Sequence, residues 1–176
     1  MKTRTIMSTA AVVMIATIAV LVVYAQQQPK NDKANNMGDM ATEEMNKRGD
    51  HVMGFDHTMT THHFRLSANG GSIEITANSV SDTESRDQIR LHLGHIARMF
   101  ADGNFKAPML IHEQTPPGVP VMQKLKSEIT YNFEETERGA AIQISSKNPD
   151  AVSAIHEFLR FQIKEHKTGD SLDVAQ

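Results

Sequence analysis

The feature that most constrains this chain is a pattern met twice: two short alternating segments around a turn, followed by one amphipathic helix. In the first copy, His63-Phe64-Arg65-Leu66 and Ser72-Ile73-Glu74-Ile75-Thr76 flank Asn69-Gly70-Gly71. Apolar and polar residues alternating around a glycine-rich turn specify a β-hairpin, because successive strand side chains point to opposite faces. A helix is expected next, with Ser81 as its cap and Glu84 completing a capping box. Ile89, Leu93, Ile96 and Phe100 form its apolar stripe, and Asp102-Gly103 ends it. In the second copy, Thr130-Tyr131-Asn132-Phe133 pairs across a Glu135 to Gly139 turn with Ala141-Ile142-Gln143-Ile144-Ser145. Asn148 then caps a helix with Pro149 at its first position, and Val152, Ile155, Leu159 and Ile163 lie on one face.

Each hairpin thus offers one apolar face and each helix one apolar stripe. The economical burial is an α+β fold, in which two ββα units form a four-stranded antiparallel sheet with the helices packed on one face. The insert between the units carries Pro108-Met109-Leu110-Ile111, a Thr115-Pro116-Pro117-Gly118-Val119-Pro120 corner, and a short helix through Val121 and Leu125. The corner is too rich in proline for a helix interior or a central strand.

The N-terminus has a different character. Lys2 and Arg4 precede an almost unbroken run of Ala, Val, Ile, Leu and Met from Ala10 to Val23, and no acidic residue occurs before Asp32. Residues 1–25 read as a secretory signal peptide, with Val23-Tyr24-Ala25 before the cut, or else as an uncleaved N-terminal anchor. The expected layout is a flexible polar linker over 26–50, one α+β domain over 51–170 and a disordered tail over 171–176. Export places the protein in the periplasm or on the outer face of the cytoplasmic membrane. Membrane attachment is expected only through an uncleaved N-terminal segment.

Removing Lys2 and Arg4 with the signal leaves 16 basic against 21 acidic residues, a net charge of −5. An acidic chain with no block of basic residues argues against nucleic acid as a partner. The chain has no Cys, which excludes disulfides, thiolate nucleophiles and a lipid-modified cysteine.

Three strings carry a resemblance: Thr61-His62-His63-Phe64-Arg65-Leu66, Gln114-Thr115-Pro116-Pro117-Gly118-Val119-Pro120, and His156-Glu157-Phe158-Leu159-Arg160-Phe161-Gln162-Ile163-Lys164-Glu165-His166-Lys167-Thr168-Gly169-Asp170. Over roughly Gly54 to Asp170 the chain resembles a family of small exported bacterial proteins without an established function. The resemblance implies no reaction. Members sometimes carry the label aspartate carbamoyltransferase, which does not suit this chain. That enzyme needs two sizeable α/β domains and a Ser-Thr-Arg-Thr-Arg phosphate loop, and neither is present.

Chemistry is suggested by nine His and 11 Met in a chain without thiols. Imidazole and thioether are the neutral donors that suit copper. Met37, Met40 and Met45 lie in the polar arm, and His51, Met53, His57, Met59, His62 and His63 follow closely. On the first helix, His92 and Met99 fall about 20° apart and His95 is within reach of both. Three such donors could hold a metal or offer axial ligands to a haem. His156 falls within the apolar stripe of the second helix, where it could face His92. His62 shares a strand face with Phe64 and Leu66, and His63 points the other way. His166 lies near the His156 face, and His112 is expected in a loop.

The expected metal site is therefore His92, His95, Met99, His156, His62 and His63, with copper or haem as cofactor. The sequence lacks His-Glu-x-x-His, Gly-x-Ser-x-Gly and a glycine-rich phosphate loop. Three roles follow in order: an exported metal- or haem-binding protein, an accessory domain that docks to an envelope partner, and a small enzyme.

Overall fold

The computed structural model describes residues 32–175. The signal-peptide expectation, and the linker expectation as far as residue 31, fall outside the described residues. Met40–Gln176 form one compact unit, which among the described residues holds the sheet and every helix apart from the first two turns of α1.

The sheet has four antiparallel strands, β1 (Thr60–Ser67), β2 (Gly70–Ala77), β3 (Ile129–Thr136) and β4 (Gly139–Ser146), in the order β1-β2-β4-β3. The two hairpins join through their second strands, with Ile73 opposite Ile142 and Gly71 opposite Ile144. The junction is tight. A Cβ at Gly70 would run into the Ile144 carbonyl, and one at Gly139 into the Ile75 carbonyl. Helices α2 (Thr83–Ala101) and α5 (Pro149–Glu165) both pack on the sheet, α2 toward β3 and β4 and α5 toward β1 and β2. Ile89, Leu93, Ile96 and Phe100 of α2, and Ile155, Leu159 and Ile163 of α5, are all buried. The expected α+β arrangement of two ββα units is the one observed.

Local signals differ in detail. Asp82, not Ser81, caps α2 and accepts the Ser85 N–H at 3.0 Å, while the Ser81 hydroxyl bonds that of Ser79. Asn148 caps α5 as expected, accepting from Asp150 and Ala151. In the insert, the apolar piece forms a short helix α3 (Lys106–His112), and α4 (Val119–Lys124) follows the proline corner. Gly118, at φ +80°, turns that corner hard against the Ala154 carbonyl, where no Cβ fits.

Two expectations are corrected. From Asp32 the supposed linker is helical: α1 spans Asp32–Met53. Its composition is polar, but Met45 is buried, Val52 and Met53 pack against the core, and the Arg48 Nε donates to the Ile111 carbonyl at 2.9 Å. Met45, Gly49, Val52 and Met53 recur at helical spacing, and docking supplies what composition does not. The tail beyond 170 is also engaged. The Ala175 N–H donates to the Leu66 carbonyl at 3.0 Å, and the Leu172 carbonyl accepts from Arg160 at 2.9 Å. The reason is the free edge of β1, whose outward backbone groups require partners.

Asp170 anchors that cover. Its carboxylate accepts the Phe64 N–H at 3.0 Å, the Thr168 hydroxyl at 2.7 Å and the His63 Nδ1 at 2.9 Å. Burial pushes this carboxyl up, but the three donors outweigh burial and hold it below the ordinary aspartate value. Replacing Asp170 with Ala should lower stability by about 2 kcal/mol, the scale of hydrogen bonds to a charged group. Denaturant unfolding near neutral pH checks it, and the Phe64 amide should lose exchange protection more than amides of β4.

Candidate functional site: a histidine-lined cavity

The cavity opens where α2 and α5 diverge above β1. Phe158, Gln162 and His166 succeed one another at four-residue spacing, so α5 and its C-terminal cap present them along one line. Across from them α2 presents His92, Leu93, Ile96 and Phe100; β1 contributes His62 and Phe64 from below. His112, the last residue of α3, and Met53, the last of α1, complete the wall. Its volume is about 70 Å³.

Four imidazoles therefore share one otherwise apolar space. The His62 and His166 rings stack with centroids 5.7 Å apart and an interplanar angle of 5°. His112 meets His166 edge to face at 5.1 Å, and Phe55 meets His92 in the same way at 5.6 Å. Among the described residues, the polar contact made inside is between His112 Nε2 and the Gln162 carbonyl oxygen Oε1, at 3.1 Å. With Nε2 as donor, Nδ1 keeps the lone pair of His112. That nitrogen has no hydrogen-bond partner among the described residues, since the Glu165 carboxylate stands 3.9 Å away. His62 Nε2 and the Gln162 amide nitrogen are likewise enclosed without a partner among the described residues.

The surroundings keep these rings neutral. Burial pushes His62 down to about 4, and the imidazoles of His92, His57 and His63 add to the effect. His92 falls to about 4, by burial and then by His95. His166 falls to about 3, by burial and then by His62 and His112. Burial also lowers His112, against the Gln162 contact and Glu165, which favour its charged form. A neutral imidazole has a free lone pair and is the form that ligates metal.

A second, more polar cleft adjoins the first. Met53, His62 and His166 line both, and Met45, Gly49 and His57 line only the outer one. The wall between cleft and cavity is thus itself built of donors.

The structure places the sequence-predicted residues as follows. His62 and His92 line the cavity. His63 is on the opposite side of β1, bonded to Asp170. His95 is exposed and Met99 packs against the core, so the His92/His95/Met99 set does not converge. The cavity faces the sector of α2 that runs from His92 through Ile96 to Phe100, and His95 lies beyond His92 on the far side. His156 does not face His92. It lies about 120° around α5 from Gln162, and its Nε2 bonds the Ser67 carbonyl at 2.9 Å.

His112, His166, Met53 and Gln162 were not among the expected site residues. The spacing of Phe158, Gln162 and His166 was the available signal for two of them. The other two depend on where the insert and α1 dock.

Among the described residues, only Asp50, Asp56 and His57 bring three His, Asp or Glu donor atoms within 4.8 Å of one another. These already serve a turn: His57 Nδ1 bonds Asp50 at 2.9 Å, and Asp56 caps the short 3-10 segment His57–Met59. The cavity histidines stand further apart, and to meet on one ion their rings must move inward.

Acid should destabilise this fold through the cavity. Above about pH 6.5 His62, His92 and His166 are neutral both folded and unfolded, and their titration takes nothing from stability. As pH falls, the unfolded chain takes up protons near 6.5 while the folded rings resist down to about 4. Stability is therefore lost across that window, by on the order of 3 kcal/mol per group. Denaturant midpoints between pH 7.5 and 4.5 measure the loss, and replacing both His62 and His166 with Leu should flatten the profile.

No family model matches the chain, and no curated protein or solved structure matches it either. A functional reading therefore rests on these side chains.

Proposed function

We propose that this protein is an exported copper-binding protein that takes its ion on His62, His92, His112 and His166, with Met53 as a thioether donor. The observation that carries this reading is four neutral imidazoles around one apolar cavity, two of them with buried ring nitrogens that lack a partner among the described residues. A buried polar atom without a partner costs about 1–3 kcal/mol, and a metal ion would satisfy several at once. Nitrogen and thioether donors without thiolate or carboxylate favour copper over harder cations. The space of about 70 Å³ is far below the roughly 300–1,000 Å³ of sites for drug-sized ligands. It suits an ion rather than a porphyrin, which favours copper over haem. Export follows from residues 1–25, and an ion bound there would be an envelope ion.

One feature favours the second role, docking to an envelope partner. Among the described residues β3 forms the outer edge of the sheet with no further strand beside it, and near it Leu91 is 76% exposed and Phe133 38%, with the Phe133 ring over Gly94. Monomeric proteins bury such patches or use them.

Copper added to metal-free protein should raise its melting temperature by several degrees, because binding the folded state alone shifts unfolding by mass action. Elemental analysis should give about one ion per chain. Replacing His62 and His166 together should abolish the shift, whereas His95→Ala should leave it intact. His156→Ala should lower stability, through the lost Ser67 bond, without changing the copper shift. An equal shift in wild type and in the His62/His166 double variant would overturn the site.

A further inference from the structure

We propose that when this cavity holds a divalent ion it also takes up a small anionic ligand, such as hydroxide, whose acceptor atom is held by the side-chain amide of Gln162. The inference rests on the metal reading above and adds a second ligand to the same site.

Charge is the first argument. None of the described residues that line the cavity is Asp, Glu, Lys or Arg. Imidazole and thioether donors are neutral, so the protein supplies no negative charge to an ion bound there. Burying uncompensated charge is costly, and the cost grows with the square of the charge. The Glu165 carboxylate is 41% exposed and stands 3.9 Å from His112 Nδ1. A cuprous ion can be accommodated by neutral donors alone. A cupric ion leaves an excess that an incoming anion halves.

The second argument is Gln162, which is only 4% exposed. Its carbonyl oxygen is taken by His112 Nε2 at 3.1 Å, which sets the orientation of the amide. The amide nitrogen is enclosed without a partner among the described residues. An amide NH₂ donates and does not accept, and it does not ligate a metal. What completes it is an acceptor atom on something else in the cavity.

Space is the third. A water molecule occupies about 30 Å³ in the liquid, and the cavity of about 70 Å³ has room for an ion and one small ligand together. An anion bound to the metal and hydrogen-bonded to Gln162 would satisfy both the charge and the orphaned donor.

Azide is a suitable probe anion, because its binding to Cu(II) produces a charge-transfer absorption band. The full chain loaded with Cu(II) should develop that band on azide titration, with saturation. In Gln162→Leu, fully loaded with Cu(II) so that any loss of copper affinity is compensated, the half-saturating azide concentration should rise at least tenfold. Gln162→Glu keeps the shape and brings its own negative charge. It should bind Cu(II) more tightly and lose the azide band, and it remains a test if the Leu variant does not fold. A copper-loaded wild type that gives no azide band overturns the inference and leaves copper binding standing, as does an unchanged half-saturation in Gln162→Leu. Failure of the wild type to load copper at all overturns the metal reading itself.

Discussion

The pairing of β2 with β4 is the contact on which the rest of this molecule depends. A two-stranded hairpin is marginal by itself in water. Once the second strands of the two hairpins pair, four strands present one continuous apolar face. Both helices must then share that face, and their stripes close over Ile73, Ile75, Ile142 and Ile144. Gly70 and Gly139 are the condition for it, since a Cβ at the first would run into the Ile144 carbonyl and one at the second into the Ile75 carbonyl. Everything else is arranged around this frame. The C-terminal segment covers the β1 edge, and the insert and α1 cover the gap that the helices leave above β1.

That gap is where the fold departs from what stability alone would choose. An apolar core of this size could be filled with Leu and Ile, and Phe100, Phe105 and Phe158 do fill it at one end. At the other end the chain commits imidazoles and a glutamine amide to an apolar space, with one internal hydrogen bond among them. Rings that cannot charge and nitrogens without partners both weaken the folded state. Bound metal would reverse the sign of that contribution, because the lone pairs that are orphaned in its absence are those it would use. Stability and ligand binding are then linked through the same atoms.

Much of this was legible in residue order. Strand alternation and the 3.6-residue period gave both ββα units, and alternation put His62 on the Phe64 side of β1. Asn148 and Pro149 marked the start of α5 through purely local chemistry. The helix-borne histidines were harder. His92, His95 and Met99 are neighbours on α2, but neighbours on one helix converge on a ligand only if the facing elements allow it. Here the facing wall selects His92 and leaves His95 in solvent. His156 and His166 share a helix, yet one ends on a strand carbonyl and the other in the cavity, because the two positions look out in different directions from α5.

The sequence by itself determined the elements, their polarity patterns and the chemical kinds of donor available, since each of these is a property of a few adjacent residues. It excluded thiolate chemistry by composition and made an apolar sheet face unavoidable. Tertiary structure alone decided which donors meet. Polar composition hid α1, whose order comes from docking Met45, Val52 and Met53 and from the Arg48 bond to Ile111, contacts made with residues distant in the chain. His112 reaches the cavity because the proline corner returns the insert against α5, fifty positions from Gln162. Such convergence depends on the relative placement of five elements, and no local pattern encodes a distance between residues that only folding brings together.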